Sequence, residues 1–254
     1  MRTYIDINCD LGECNNEEQF ERELNLLKYI SSANMCCGFH SGSAAFISKV
    51  VDEAVALNIV VGAHPSYPDK GGFGRRPMKL PKSDLTDILA LQYGMLASML
   101  THHNREVKFI KPHGALYHSI MNGGSDAEAL ISFILEENPS LSVVGQPGTF
   151  FEEMANREGI RFLREGFADR AYNMDGTLVP RSNVRAVFSE AEDAVIQTML
   201  LAKDGKVRAE GVNLNMKVDT ICVHGDNDAA LEILPAMSEA LKKAAIEIKS
   251  PLID

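Results

Sequence analysis

No apolar run in the 254-residue chain is long enough to span a membrane, and the start, "MRTYIDIN", lacks the basic segment and long apolar stretch that direct secretion. The expectation is a cytoplasmic protein. Positive charge is scarce: 25 Lys and Arg against 35 Asp and Glu give a formal net charge of -10, which argues against a nucleic-acid or anionic-membrane binder. A local cationic pocket is still compatible with that balance. Paired cysteine spacing is missing too. There are five cysteines, an odd number, and the neighbours Cys36 and Cys37 make neither a disulfide framework nor a CxxC zinc knuckle. Reduced thiols buried as small apolar groups are expected. The chain has no GxxxxGK[ST] loop, no HExxH, no GxSxG and no dinucleotide fingerprint, so a nucleotide would have to be held by other means.

What is present is alternation. Short apolar runs, "YIDIN", "ISSANMC", "NIVVGAH", "VKFIKPH", "LSVVGQP", "IRFLREG" and "TICVHGD", are separated by segments of helical spacing around 17–29, 43–57, 82–103, 126–137, 149–158 and 190–203. Strand and helix in turn predict parallel strands joined by crossover helices. Seven such units without a Pro/Ser linker predict one domain over residues 1–254, an α/β fold built as a closed or nearly closed seven-stranded β/α barrel; a doubly wound open sheet is the alternative. Polar clusters follow the predicted strands, which places the chemistry at one mouth. The Gly/Pro-rich stretch 65–81 and the stretch 168–189 break the repeat and read as covering loops.

In the first predicted strand, Asp6, Asn8 and Asp10 share one face and Ile5, Ile7 and Cys9 the other. With the apolar set against helices, the polar set lines the interior and ends at the rim, with Glu13 in the following turn. Carboxylates in such a place need partners, and His40, His64, His113 and His224 each follow a different predicted strand. Basic groups return to the same mouth: Lys111, Arg75, Arg170 and Arg181, of which the guanidinium groups suit carboxylate or phosphate.

Taken together, "DINCDLGE" at 6–13, "ANMCCGFHSG" at 33–42, "GAHPSYPDKGGFGRR" at 62–76, "KPHGALY" at 111–117, "FADRAY" at 167–172, "LVPR" at 178–181 and "ICVHGD" at 221–226 resemble the LamB/YcsF family, whose members are known as the A component of the bacterial 5-oxoprolinase. The resemblance covers nearly the whole chain. It implies a barrel similar to that of glycoside hydrolases and polysaccharide deacetylases, and ATP-dependent opening of the lactam of 5-oxo-L-proline to L-glutamate with subunits B and C, with ATP accompanied by Mg2+. Under it, Asp10 and Glu13 take proton transfer or magnesium, and His40, His64 and His113 shape an acid/base cluster. Lys111 and Arg75 hold phosphate or substrate carboxylate, Asn8 and Asn34 meet the lactam edge, and Arg170, His224 and Asp226 complete the binding set. Three departures stand out: Ser43 where the family has an acid, "CNNEE" after "DLGE" in place of a glycine-rich run, and Asn227 and Asp228 where a proline is expected. A metal-dependent amide hydrolase acting on sugar-like substrates through a transition metal, and a non-catalytic ligand-binding protein, stay open as alternatives, as does a homo-oligomer.

Overall fold

The computed structural model describes residues 2–253. In chain order its elements are β1 (Tyr4–Leu11), α1 (Glu17–Leu27), β2 (Ser32–Cys36), α2 (Ala44–Ala56), β3 (Val60–His64), α3 (Lys82–Thr101), β4 (Phe109–Ile110), α4 (Gly114–Met121) and α5 (Ser125–Glu137). There follow β5 (Ser142–Gly145), α6 (Phe150–Arg157), β6 (Phe162–Phe167), α7 (Ala191–Met199), β7 (Lys206–Ala209), β8 (Val212–Asn215), β9 (Thr220–Val223), α8 (Ala230–Lys243) and β10 (Glu247–Ile248). Strands β1 to β6 pair in sequence order, all parallel, and β9 joins β6 back to β1 with Ile7 opposite Ile221. The expected closed barrel is therefore present. The short β10 adds to the start of β1, pairing Tyr4 with Glu247 and Ile5 with Ile248.

Two parts were not anticipated. Strands β7 and β8 form an antiparallel hairpin that pairs with no barrel strand, turned at Glu210 and Gly211, which both have positive φ. Helix α8 carries Pro235 in its interior, which interrupts the hydrogen-bond ladder and disguises the helical spacing.

The strands sort their side chains by period two. Ile5, Ile7, Cys9 and Leu11 face outward into the large core shared with the helices. Inside the barrel, Val60, Phe109, Val144 and Leu163 form a separate apolar cluster, with Leu252 packed on it. Phe109 lies so close to β3 that a Cβ on Gly62 would sit 2.2 Å from its ring, so only glycine fits there. Above this cluster the interior carries mostly polar groups, with Phe167 among them. Helix starts are capped by side chains: Asn16 accepts from Gln19 N at α1, and Ser43 from Phe46 N at α2. Ser43 is exposed and serves as the α2 cap, a duty that an aspartate performs equally well, so this departure from the family lies away from the mouth.

Candidate functional site

Strand β1 supplies a column of buried polar groups. At its base Asp6 accepts from Ser31 Oγ at 2.6 Å and Ser32 Oγ at 2.7 Å, and burial raises its pKa in spite of those bonds. Above it, Asn8 donates to Thr220 Oγ1 at 2.6 Å, and Asn34 Nδ2 donates to Asn8 Oδ1 and Asp10 Oδ1, each at 2.7 Å. Lys111 then crosses the barrel. Its ammonium lies 2.9 Å from Asp10 Oδ1, 2.8 Å from Glu165 Oε1, 3.2 Å from Asn8 Oδ1 and 3.1 Å from Cys222 Sγ. Burial disfavours the charge, but Asp10, Cys222 and Glu165 outweigh it and hold the Lys111 pKa well above its usual value. Burial would likewise raise Asp10, yet His64 and Lys111 win and keep this carboxyl well below the ordinary range.

Backbone carbonyls fix two histidine tautomers at the top of the column. His64 Nδ1 lies 2.6 Å from the Lys111 carbonyl, and His113 Nε2 lies 2.8 Å from the Phe73 carbonyl. A carbonyl only accepts, so those nitrogens carry the protons. The other two, His64 Nε2 and His113 Nδ1, face each other at a hydrogen-bonding distance of 3.0 Å. Asp10 Oδ2 is 3.3 Å from His64 Nε2, Glu13 Oε1 is 3.6 Å from His113 Nδ1, and His40 Nε2 is 2.9 Å from Glu13 Oε1. His40 stacks on His113, centroids 3.8 Å apart. Burial, with neighbouring histidines adding to it, lowers His40 to about 3 and His113 well below the usual value, so both are neutral imidazoles near pH 7. Glu13 moves the other way: burial and the Asp10 charge raise it to about 8.

This convergence of acceptors fits a cation. Asp10, His64 and His113 offer ligand atoms within 4.8 Å of one another, as do Glu13, His40 and His113. A backbone carbonyl orienting the far nitrogen of each ring is the usual support of a metal-binding histidine. A third group, Asp10, Cys222 and His224, is less suited, because the Cys222 thiol is buried, raised well above its usual pKa and already in contact with Lys111.

Around this cluster lies a pocket lined by Asp10, Glu13, His64, Lys111, His113, Tyr117, His118, His224 and the guanidinium groups of Arg75, Arg170 and Arg181. Asp226 ties Arg75 by an ion pair and lies 3.6 Å from Arg181, linking three loops across the mouth. Arg170 is buried and pins the 168–189 loop, donating to the carbonyls of Ala186 at 3.1 Å and Val179 at 2.8 Å. The other loop, 65–81, is a fixed wall: the Phe73 carbonyl holds His113, and the Gly74 carbonyl accepts from Ala115 N at 2.9 Å.

Of the residues singled out in the sequence, Asp10, Glu13, His64, His113, Lys111, Arg75, Arg170, His224 and Asp226 line this pocket. His40 lines a neighbouring cavity of about 530 Å³ and reaches the pocket through Glu13. Asn8 and Asn34 sit beneath, fully buried and committed to Asp10, Lys111 and Thr220; they do not line the pocket. The sequence reading missed Glu165, the second partner of Lys111. It also missed Asp169, which is wholly buried and holds His224 Nδ1 at 2.9 Å. Burial would raise Asp169, but the charge and hydrogen bonds of His224 and a bond from Asn227 leave it lowered. Asn227, at a position where the family has proline, thus has work of its own. All five cysteines are free and buried, as expected.

Known proteins resemble this chain over nearly its whole length. The A component of a 5-oxoprolinase from Pyrococcus furiosus is 41% identical over 245 residues, 96% of each chain, and its counterpart from Acinetobacter baumannii is 39% identical over 247 residues, 97% of each. The crystal structure of a lactam utilization protein from Thermus thermophilus superposes with a TM-score of 0.89 at 35% identity, covering 97% of this chain and 99% of that one. A polysaccharide deacetylase from Bacillus cereus shares the fold alone, with a TM-score of 0.51 at 12% identity over 98% of this chain and 92% of that one. The LamB/YcsF family model matches residues 5–253, and the chain belongs to that family.

Proposed function

We propose that this chain is the A component of an ATP-dependent 5-oxoprolinase, opening the lactam of 5-oxo-L-proline to L-glutamate together with subunits B and C. The observation that carries the reading is a pair of carboxyls driven apart by their surroundings. Asp10 is held well below the ordinary range while Glu13 is raised to about 8, which yields one ionised and one protonated acid in a single pocket at neutral pH. A lactam amide is a poor electrophile with a poor leaving group. ATP, carried with Mg2+, is expected to activate it as an imidate-like phosphate that water can attack. The water oxygen bonds to the phosphorylated ring carbon, the C–N bond breaks to leave an acyl phosphate whose hydrolysis releases inorganic phosphate and the carboxylate, and the departing nitrogen needs a proton. Protonated Glu13 supplies it. Neutral His113, with Nδ1 turned to the cluster, takes the proton from water, and the Asp10 charge favours the ring that becomes charged. Arg75, Arg170 and Arg181 receive the substrate's anionic groups, and Asp226 holds their place at the mouth.

Lys111 supports Asp10 more than it meets substrate, because its ammonium already has four partners. A divalent cation bound by Asp10, His64 and His113 would supply Lewis-acid polarisation of the amide oxygen. The clustering of Asp10, His64 and His113 ligand atoms also supports a second reading, a metal-dependent amide hydrolase that needs no ATP. Reconstitution with subunits B and C separates the two. With ATP and 5-oxoproline, Asp10→Asn and His64→Ala should each lower glutamate release by roughly 10²–10⁴-fold. Full release by both variants would remove the site assignment, and release by the isolated, metal-loaded chain without ATP would favour the second reading.

A further inference from the structure

Helix α1 buries Phe20, Glu23, Leu26 and Leu27 on one face, so a carboxylate stands in its apolar stripe. Such a placement is unfavourable unless backbone donors receive it. They do: Gly12 N donates to Glu23 Oε2 at 2.6 Å and Glu13 N to Glu23 Oε1 at 3.0 Å, and the backbone of Cys14 adds a third bond. Gly12 has φ +77, which turns these successive N–H groups to one side and makes a small anion-binding nest that Glu23 fills. The opposite side of the same turn is held as well. The Glu13 carbonyl accepts from Ser41 Oγ at 2.7 Å and from Asn15 Nδ2 at 3.0 Å. With its backbone gripped from both sides, Glu13 points its carboxyl at His40 and His113.

We propose that Glu23 is a positioning residue for the reaction, clamping the Gly12–Glu13 turn so that the Glu13 carboxyl is aimed at the histidine cluster. Glu23 does not line the mouth pocket but the neighbouring cavity shared with Glu13 and His40, and it meets the histidine cluster only through Glu13. The inference rests on the reading that the Glu13 carboxyl, in contact with His40 and His113, acts in lactam opening. The nest presents N–H donors to both carboxyl oxygens and offers no acceptor to the amide N–H₂ of a glutamine, so Glu23→Gln disturbs the clamp at nearly constant volume. Glu23→Asp keeps the carboxyl and withdraws it by one methylene.

The test uses the reconstituted assembly of this chain with subunits B and C, ATP and 5-oxoproline. It compares Glu23→Gln, Glu23→Asp, Glu13→Gln and the double variant Glu13→Gln/Glu23→Gln, with thermal unfolding of each. Both Glu23 variants are expected to lose about 10- to 100-fold in kcat with KM nearly unchanged. The double variant should turn over no more slowly than Glu13→Gln alone, because a clamp has nothing left to aim. A purely structural role would instead multiply the two losses, and that result overturns the proposal. So does full kcat in a folded Glu23→Gln or Glu23→Asp beside an impaired Glu13→Gln. Should Glu23→Gln fail to fold, Glu23→Asp carries the same comparison against Glu13→Gln/Glu23→Asp. Full activity of Glu13→Gln would instead remove the functional reading, and the inference with it.

Discussion

Lys111 lies between Asp10 and Glu165, and all three are almost wholly withdrawn from water. Removing the ammonium leaves two buried carboxylates facing each other. Lys111→Met should therefore destabilise the fold by about 3–5 kcal/mol, read from urea denaturation. A change below about 1 kcal/mol would mean that the two acids are neutralised in another way. Some residues of this network were legible in the sequence and others were not. Asp6, Asn8 and Asp10 alternate with aliphatics, and four histidines follow separate strands, so their common destination could be read from period and position. Glu165 could not, because in "FLREGF" one acid beside an arginine reads as the solvated edge of a strand, and its partner lies 54 positions earlier. Glu23 was hidden for the same reason in "EEQFEREL", where it is one of four glutamates and only the fold buries it.

At the scale of the element, β3 shows how a strand is bound to the barrel it closes. Gly62 leaves room for the Phe109 ring, and the same strand ends in His64. Gly62→Ala would push a methyl group into that ring and should cost about 1–3 kcal/mol, measured as a lowered urea midpoint. Shortening the ring in a Gly62→Ala/Phe109→Leu protein should recover part of the loss, and no recovery would argue against this contact as the cause. The strands themselves were legible because seven short apolar runs alternate with helical spacing, and the pairing order then follows from parallel topology. The hairpin β7–β8 was not, since it lies outside the alternating barrel units and its exposed strand β8 has no apolar run to mark it. Asn8 shares the inner face with Asp6 and Asp10 as its period predicts, but its depth and that of Asn34, below the pocket floor, depend on barrel packing that period alone does not give.

For the molecule as a whole, the opposed shifts of buried acids and imidazoles set how stability depends on pH. Burial raises Glu13 to about 8 and Glu23 to about 7 from an ordinary 4.5, so the folded chain keeps protons that the unfolded chain has already released. Their contribution is complete below about pH 4.5 and is lost as pH rises through 7 and 8. His40, lowered to about 3, and His113, also lowered, act oppositely: the unfolded chain gains protons below its ordinary 6.5, so stability falls as the medium is acidified. Above pH 6.5 the carboxyls prevail. Chelator-treated protein should thus lose roughly 1–2 kcal/mol of unfolding free energy between pH 6.5 and 8, and a flat or rising profile would contradict the assignment. The carbonyls of Lys111 and Phe73 that hold His64 and His113 have a further effect on traffic. A peptide oxygen keeps hold of an N–H but carries no proton onward, so neither ring can hand one through to the barrel wall. Protons that these two rings exchange therefore move on the pocket side, toward the mouth where Asp226 joins Arg75 and Arg181.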